Sequence, residues 1–148
     1  MSDDPTLATI AAGSGATRQN AEDFFFSEIN HYLYVGDTAL HMAAAAFQRP
    51  IAELLVAHGA DKHAKNRSGA RPLHYVADTN HWEPAAQSDT IAYLLSVGAD
   101  PNARDKDGVS PLHRAVRTRS LTAIKRSKIG GIAKAGTNKC FCVLRAFA

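Results

Sequence analysis

The sequence predicts an all-α solenoid of about two and a half stacked helix–turn–helix repeats, and three observations predict it. The stretch Gly59-Ala-Asp-Lys-His-Ala-Lys-Asn-Arg-Ser-Gly-Ala-Arg-Pro-Leu-His74 returns in one frame, 39 residues on, as Gly98-Ala-Asp-Pro-Asn-Ala-Arg-Asp-Lys-Asp-Gly-Val-Ser-Pro-Leu-His113. Its end stands a third time as Gly36-Asp-Thr-Ala-Leu-His41, 33 residues before the Gly69 copy. An apolar run precedes each opening glycine, Leu54-Leu55-Val56 and Tyr93-Leu94-Leu95. Self-similarity at such a period marks a stacked array, in which no single unit buries its apolar face alone.

Each part of the repeated stretch has a physical reason. Gly59 and Gly98 follow helical runs and suit the left-handed conformation that closes a helix. Asn66-Arg-Ser-Gly69 and Asp105-Lys-Asp-Gly108 have turn composition, Asn or Asp first and Gly last. Thr38 and Ser110 supply capping hydroxyls, and Pro72 and Pro111 suit a first helical turn. Leu40, Leu73 and Leu112 then point inward. Arg71 replaces the hydroxyl in the middle copy, at a cost of about 1 kcal/mol.

Over roughly residues 21–125, with the Leu-His pairs at 40–41, 73–74 and 112–113 in register, the chain resembles the ankyrin repeat family. The resemblance implies turn or β-hairpin tips between helix pairs. It also implies that His41, His74 and His113 bridge backbone groups of neighbouring repeats, a structural role rather than a metal or catalytic one.

In chain order, residues 1–19 are small and polar, with Gly13, Ser14 and Gly15 together, and are expected to be loose. The repeat domain is expected over 20–125. Asn20 can cap a helix whose first turn holds Glu22 and Asp23. Phe25, Ile29, Tyr32 and Leu33 fall on one helical face, widened by Phe24 and Phe26. This predicts an N-terminal capping helix sealing the first repeat. The other reading of the same residues is a Phe-rich ligand groove.

Repeat one covers about 33–65. Its first helix runs Ala39–Phe47. Its second, Ile51–His58, is started by Pro50 and buries Ile51, Leu54 and Leu55. Repeat two covers about 66–104. His74 to Thr90 is longer by six residues than the aligned His41 to Ile51, which places an insertion at about Asp78–Asp89. It holds the only tryptophan, Trp82, which either folds back over the repeat or serves as a binding anchor. Repeat three, about 105–125, is incomplete: its first helix, Pro111–Thr118, matches and its second fails. With Ala123 aligned to Ile51, Arg126, Ser127 and Lys128 stand where Leu54, Leu55 and Val56 do. Polar residues there bury no face. Residues 126–148 are a basic non-repeat tail, either native or the product of a reading frame lost near Lys125. An uncapped C-terminal end predicts self-association.

Charge is split along the chain. Residues 1–100 hold 6 Lys/Arg and 12 Asp/Glu, whereas residues 101–148 hold 11 and 2. The net +3 therefore describes a basic end, not a basic surface. No apolar run is long enough to span a bilayer, and the acidic Met-Ser-Asp-Asp-Pro start is unlike a secretory signal. Cys140 and Cys142 are too close for an ordinary bridge and lack the second pair of a zinc site. A reducing cytoplasm is the expected location.

No phosphate loop, nucleophile elbow, metalloprotease helix or paired Cys-x-x-Cys occurs, so neither an enzyme nor a cofactor is expected. His58 and His63 are a weak metal pattern. Asp100, Asp105 and Asp107 are turn residues and are not spaced as a calcium loop. The expected function is protein binding. The resemblance implies contacts at the turn tips and the exposed face of each first helix. By position these are Tyr34, Val35 and Asp37 in repeat one. In repeat two they are Arg67, Ser68, Ala70, Tyr75 and Asp78, with Trp82 added from the inserted loop. In repeat three they are Arg104, Lys106, Asp107, Val109, Arg114 and Arg117. That surface is cationic around repeats two and three, so an acidic protein partner is expected and nucleic acid is not. The alternative is an anionic polymer or membrane surface bound through the seven cations from Arg119 onward.

Overall fold

Each Leu-His pair lies in the first turn of a short helix, in the order the repeats dictate. The computed structural model describes residues 5–78 and 83–117. The first helices are α1 (Ala39–Ala45), α3 (Pro72–Asp78) and α5 (Pro111–Arg117); the second helices are α2 (Arg49–Ala57) and α4 (Pro84–Ser96). Gly59 and Gly98 follow α2 and α4 with φ of +93° each, the left-handed stop that the sequence calls for.

Helix α3 is the centre. It packs between α1 and α5 and is backed by α4, while α2 packs on α1 and α4. Two layers result, α1, α3 and α5 in one and α2 and α4 in the other. Leu40, Leu73 and Leu112 are buried between them, each worth about 1.5–3 kcal/mol of burial. Ala43, Ala44, Ala77 and Ala115 are buried too, and their small side chains let the helix axes approach.

Four expectations need correction. The N-terminal capping helix is absent: Ala21–Phe24 is one 3-10 turn, followed by a hairpin of β1 (Phe25–Phe26) and β2 (His31–Tyr32). The strands pair antiparallel, Phe25 with Tyr32 and Phe26 with His31. Aromatic residues favour strands, and Asn30 supplies a φ of +49° in the turn. Asn20 does not cap the turn with its side chain, whose Oδ1 accepts the Thr17 N–H at 2.8 Å instead.

The segment expected to be loose is tied to repeat one where it is described. Ala8 is buried, Ala12 N–H donates to Asp37 O at 2.7 Å, and Ala16 N–H to Leu33 O at 2.7 Å.

The buried face of α2 is Ala52 and Leu55, whereas Ile51 is 48% and Leu54 40% exposed. Both lie one residue before a buried one, about 100° round the helix. Arg126 thus aligns with an exposed position, and that part of the argument against a second helix in repeat three falls away.

The insertion in repeat two is not all loop. Its Pro-Ala-Ala-Gln run is helical, so α4 has 13 residues against 9 in α2. Pro suits the first turn and Ala and Gln propagate it. Gln87 is buried and donates to Val76 O at 2.8 Å. Trp82 and the basic tail at 126–148 lie outside the described residues.

Candidate functional site

The tips are positioned by bonds that step from one repeat to the next. Arg67 N–H donates to Val35 O at 2.8 Å, and Lys106 N–H to Ser68 O at 2.9 Å. The approach is close enough to exclude side chains. A Cβ on Gly36, whose φ is +87°, would stand 2.9 Å from the Asn66 Cα. Within the second tip Asn66 Oδ1 accepts the N–H groups of Ser68 and Ala70, both at 3.0 Å. Asp105 Oδ1 does the same for Asp107 and Val109 at 3.1 and 2.9 Å. Asn or Asp at the first turn position thus folds the tip locally.

The histidines bridge repeats. His41 Nδ1 accepts the Thr38 N–H at 3.1 Å, which leaves the proton on Nε2 to donate to Ala70 O at 3.1 Å. His74 repeats this with the Arg71 N–H at 3.1 Å and Val109 O at 3.0 Å. Both rings are fully buried, and burial lowers the pKa of each, that of His74 to about 4. With both nitrogens committed, neither ring has a lone pair to offer a metal. Among the described residues no group of three His, Cys, Asp or Glu is placed to hold one.

His113 keeps half of the pattern. Its Nδ1 accepts the Ser110 N–H at 3.2 Å and lies 2.6 Å from the Ser110 hydroxyl. Its ring is exposed, and Nε2 meets no carbonyl among the described residues. Arg71, where Thr38 and Ser110 have hydroxyls, turns its guanidinium to His63 Nδ1 at 3.2 Å. Its Nε is buried without a hydrogen-bond partner among the described residues.

Below the tips a buried network joins repeats one and two. Asp37 accepts the Tyr75 hydroxyl at 2.6 Å, Asn66 Nδ2 at 3.0 Å and the Tyr34 N–H at 2.7 Å. A buried carboxylate without a cation survives only when donors saturate it in this way. Burial, then the Asp37 charge, raises the Tyr75 pKa far above its ordinary value, so the phenol stays a donor. The second interface uses ions instead. Arg114 pairs with Asp105 at 2.9 Å and Asp78 at 3.4 Å, and Arg117 with Asp78 at 2.7 Å. Burial pushes the Asp105 carboxyl up, but Arg114 and the Val109 N–H outweigh it and hold its pKa low.

These elements enclose one open cleft of about 690 Å³. Of the residues expected to touch a partner, Arg67, Tyr75, Asp78, Arg114 and Arg117 line it, as do Tyr34, Val35 and Ser68. Arg104, Lys106 and Asp107 do not; they are exposed on the third tip, where Arg104 Nη1 donates to Gly108 O at 2.9 Å. Ala70 is buried, and Val109 is half-buried with its carbonyl on His74.

Sequence reasoning missed His31 and Tyr32, which the hairpin brings to the cleft wall. His31 stacks on Tyr75 with ring centroids 4.5 Å apart, and Tyr32 stands 6.3 Å from Tyr34. The signal was the aromatic density of residues 24–34, legible once that stretch is read as strands.

An ankyrin-repeat model of three copies matches residues 8–105, and a second, many-copy ankyrin model matches residues 85–126. The fold is an ankyrin solenoid with helices in two layers, and the chain belongs to the ankyrin repeat family. Members of this family generally serve as protein–protein interaction modules and are typically not catalysts. No curated protein matches the chain. No helix among the described residues is long and apolar enough to cross a membrane.

Proposed function

We propose that this chain is a non-catalytic, cytoplasmic protein-interaction module that grips an acidic partner between its cleft and its tips. The observation that carries the reading is the convergence of Arg67, Asp78, Arg114 and Arg117 on one open cleft, beside the exposed tip cations Arg104 and Lys106. Arg67 is exposed, and its guanidinium has no partner among the described residues. Arg117 is 66% exposed and pairs with Asp78. Cations presented on a rigid surface steer and orient an acidic partner more than they add affinity.

The test is capture of a partner from the native lysate, followed by titration against the pair of substitutions Arg67→Glu and Arg104→Glu. Each charge reversal should weaken binding severalfold while the circular dichroism stays unchanged. Equal affinity across both substitutions would sink the proposed surface.

A further inference from the structure

The cleft is lined by two unlike sets of side chains, and their chemistry narrows what it can take. The hairpin and first tip present Tyr32 and Tyr34, 37% and 40% exposed. Phe25 packs on the outer ring of this pair, with centroids 4.8 Å from Tyr32, and is itself exposed. Arg67 and Arg117 line the same cleft. The floor is already satisfied. Asp37 and the Tyr75 hydroxyl are spent on each other and on Asn66, and the Asn66 carbonyl is spent on its own turn.

The free surface is therefore ring faces and cationic forks, with few unspent acceptors. Asp78, the one carboxylate among the described lining residues, is bonded to Arg114 and Arg117. A cationic side chain would meet three arginines. A neutral polar one would find few partners for its own donors. An aromatic ring, by contrast, packs on Tyr32 and Tyr34 in offset or edge geometry. A carboxylate beside it meets the planar fork of Arg67 or Arg117.

We infer that the cleft seats an aromatic side chain flanked by carboxylates, presented on an extended segment of a partner protein. The inference rests on the protein-binding reading and adds to it the hairpin as part of the contact surface. Aromatic rings with arginines also suit single-stranded nucleic acid. The lining argues for the peptide: it offers two tyrosines and a few arginines at one spot, which matches one ring and its flanking carboxylates. A nucleic acid strand calls instead for a groove that tracks a run of phosphates with a series of stacking platforms.

The test titrates the full chain, followed by NMR, with short capped peptides having Glu-Phe-Glu, Gln-Phe-Gln, Glu-Ala-Glu and Lys-Phe-Lys cores, and with single-stranded oligothymidine. The Glu-Phe-Glu peptide should shift the ring signals of Tyr32 and Tyr34 and the Arg67 side-chain N–H. It should bind about threefold or more tighter than the peptides lacking either feature. Lys-Phe-Lys should bind weakest. Arg67→Gln, at an exposed residue whose guanidinium has no partner among the described residues, and Tyr34→Ser should each remove about that factor. Equal affinity for all four peptides, absence of shifts at these residues, or oligothymidine displacing the Glu-Phe-Glu peptide from Tyr32, Tyr34 and Arg67 overturns the inference. The wider protein-binding reading stands or falls separately, on whether the captured partner is lost in the Arg67→Glu, Arg104→Glu protein.

Discussion

Mild acid should unlock the repeat interfaces through His74 before Asp105 responds. Its ring must be neutral, because Nδ1 accepts the Arg71 N–H at 3.1 Å and a proton there would face that donor. Burial lowers its pKa from 6.5 to about 4, with Arg114 and Arg71 adding like charge. Between those two values the unfolded chain binds the proton and the folded one does not. Stability from this group is thus complete above pH 6.5 and drains away as pH falls toward 4. The gap corresponds to about 3 kcal/mol, a large share of the roughly 5–15 kcal/mol that holds a small domain together. His41 is lowered for the same reason and acts in the same direction. Asp105, whose pKa is held below 3.8, responds only at lower pH. Urea unfolding followed by circular dichroism at pH 7, 6, 5 and 4.5 should show stability falling by about 1.4 kcal/mol per pH unit for each titrating histidine. His74→Gln should start less stable at pH 7 and lose one histidine's share of the slope. A flat profile between pH 6.5 and 4.5, or an unchanged slope in the variant, would refute the reasoning.

Other residues make independent predictions. Tyr75→Phe removes a hydroxyl from the buried Asp37 and should cost about 1–3 kcal/mol, read by thermal or urea melts; a neutral outcome would mean the carboxylate is satisfied without it. Gly36→Ala places a methyl 2.9 Å from the Asn66 backbone at a φ of +87°, and should destabilise by about 1–3 kcal/mol, with the first tip's amides losing exchange protection. Asp78→Asn should cost about 1 kcal/mol or less at low salt and still less at high salt; an effect independent of salt would exclude an electrostatic origin. His74→Ala should lower stability with no change in metal content by mass spectrometry of the native protein. A transition metal bound in stoichiometric amount through the histidines would contradict their structural role.

Much of the fold was legible because the informative residues are local. Each Pro-Leu-His opens its own helix, and each Asn or Asp of a tip closes its own turn. What failed was degenerate or long-range. Phe25, Ile29 and Tyr32 satisfy a helical stripe and a hairpin almost equally, and the pairing of Phe25 with Tyr32 decides between them. The α2 stripe named the right stretch and one buried residue, Leu55, but also Ile51 and Leu54, which are exposed, since neighbours rather than periodicity fix which residues are covered. In the site, Arg67, Arg114 and Arg117 could be named from repeat position alone. The Asp37–Tyr75 bond could not, because it joins residues 38 apart that no repeat rule relates.

That bond also sets repeats one and two apart from the rest. Position for position, Ala70 stands where Asp37 does and Arg114 where Tyr75 does. The first junction is thus closed by a buried carboxylate–phenol lock, and the second by arginine–aspartate pairs of which Arg117–Asp78 is open to water. Salt screens that exposed pair and leaves the buried contacts largely unscreened. Raising ionic strength should therefore weaken the Arg117–Asp78 contact ahead of the lock between repeats one and two, which makes Arg117 the part of the cleft lining that the solvent can tune.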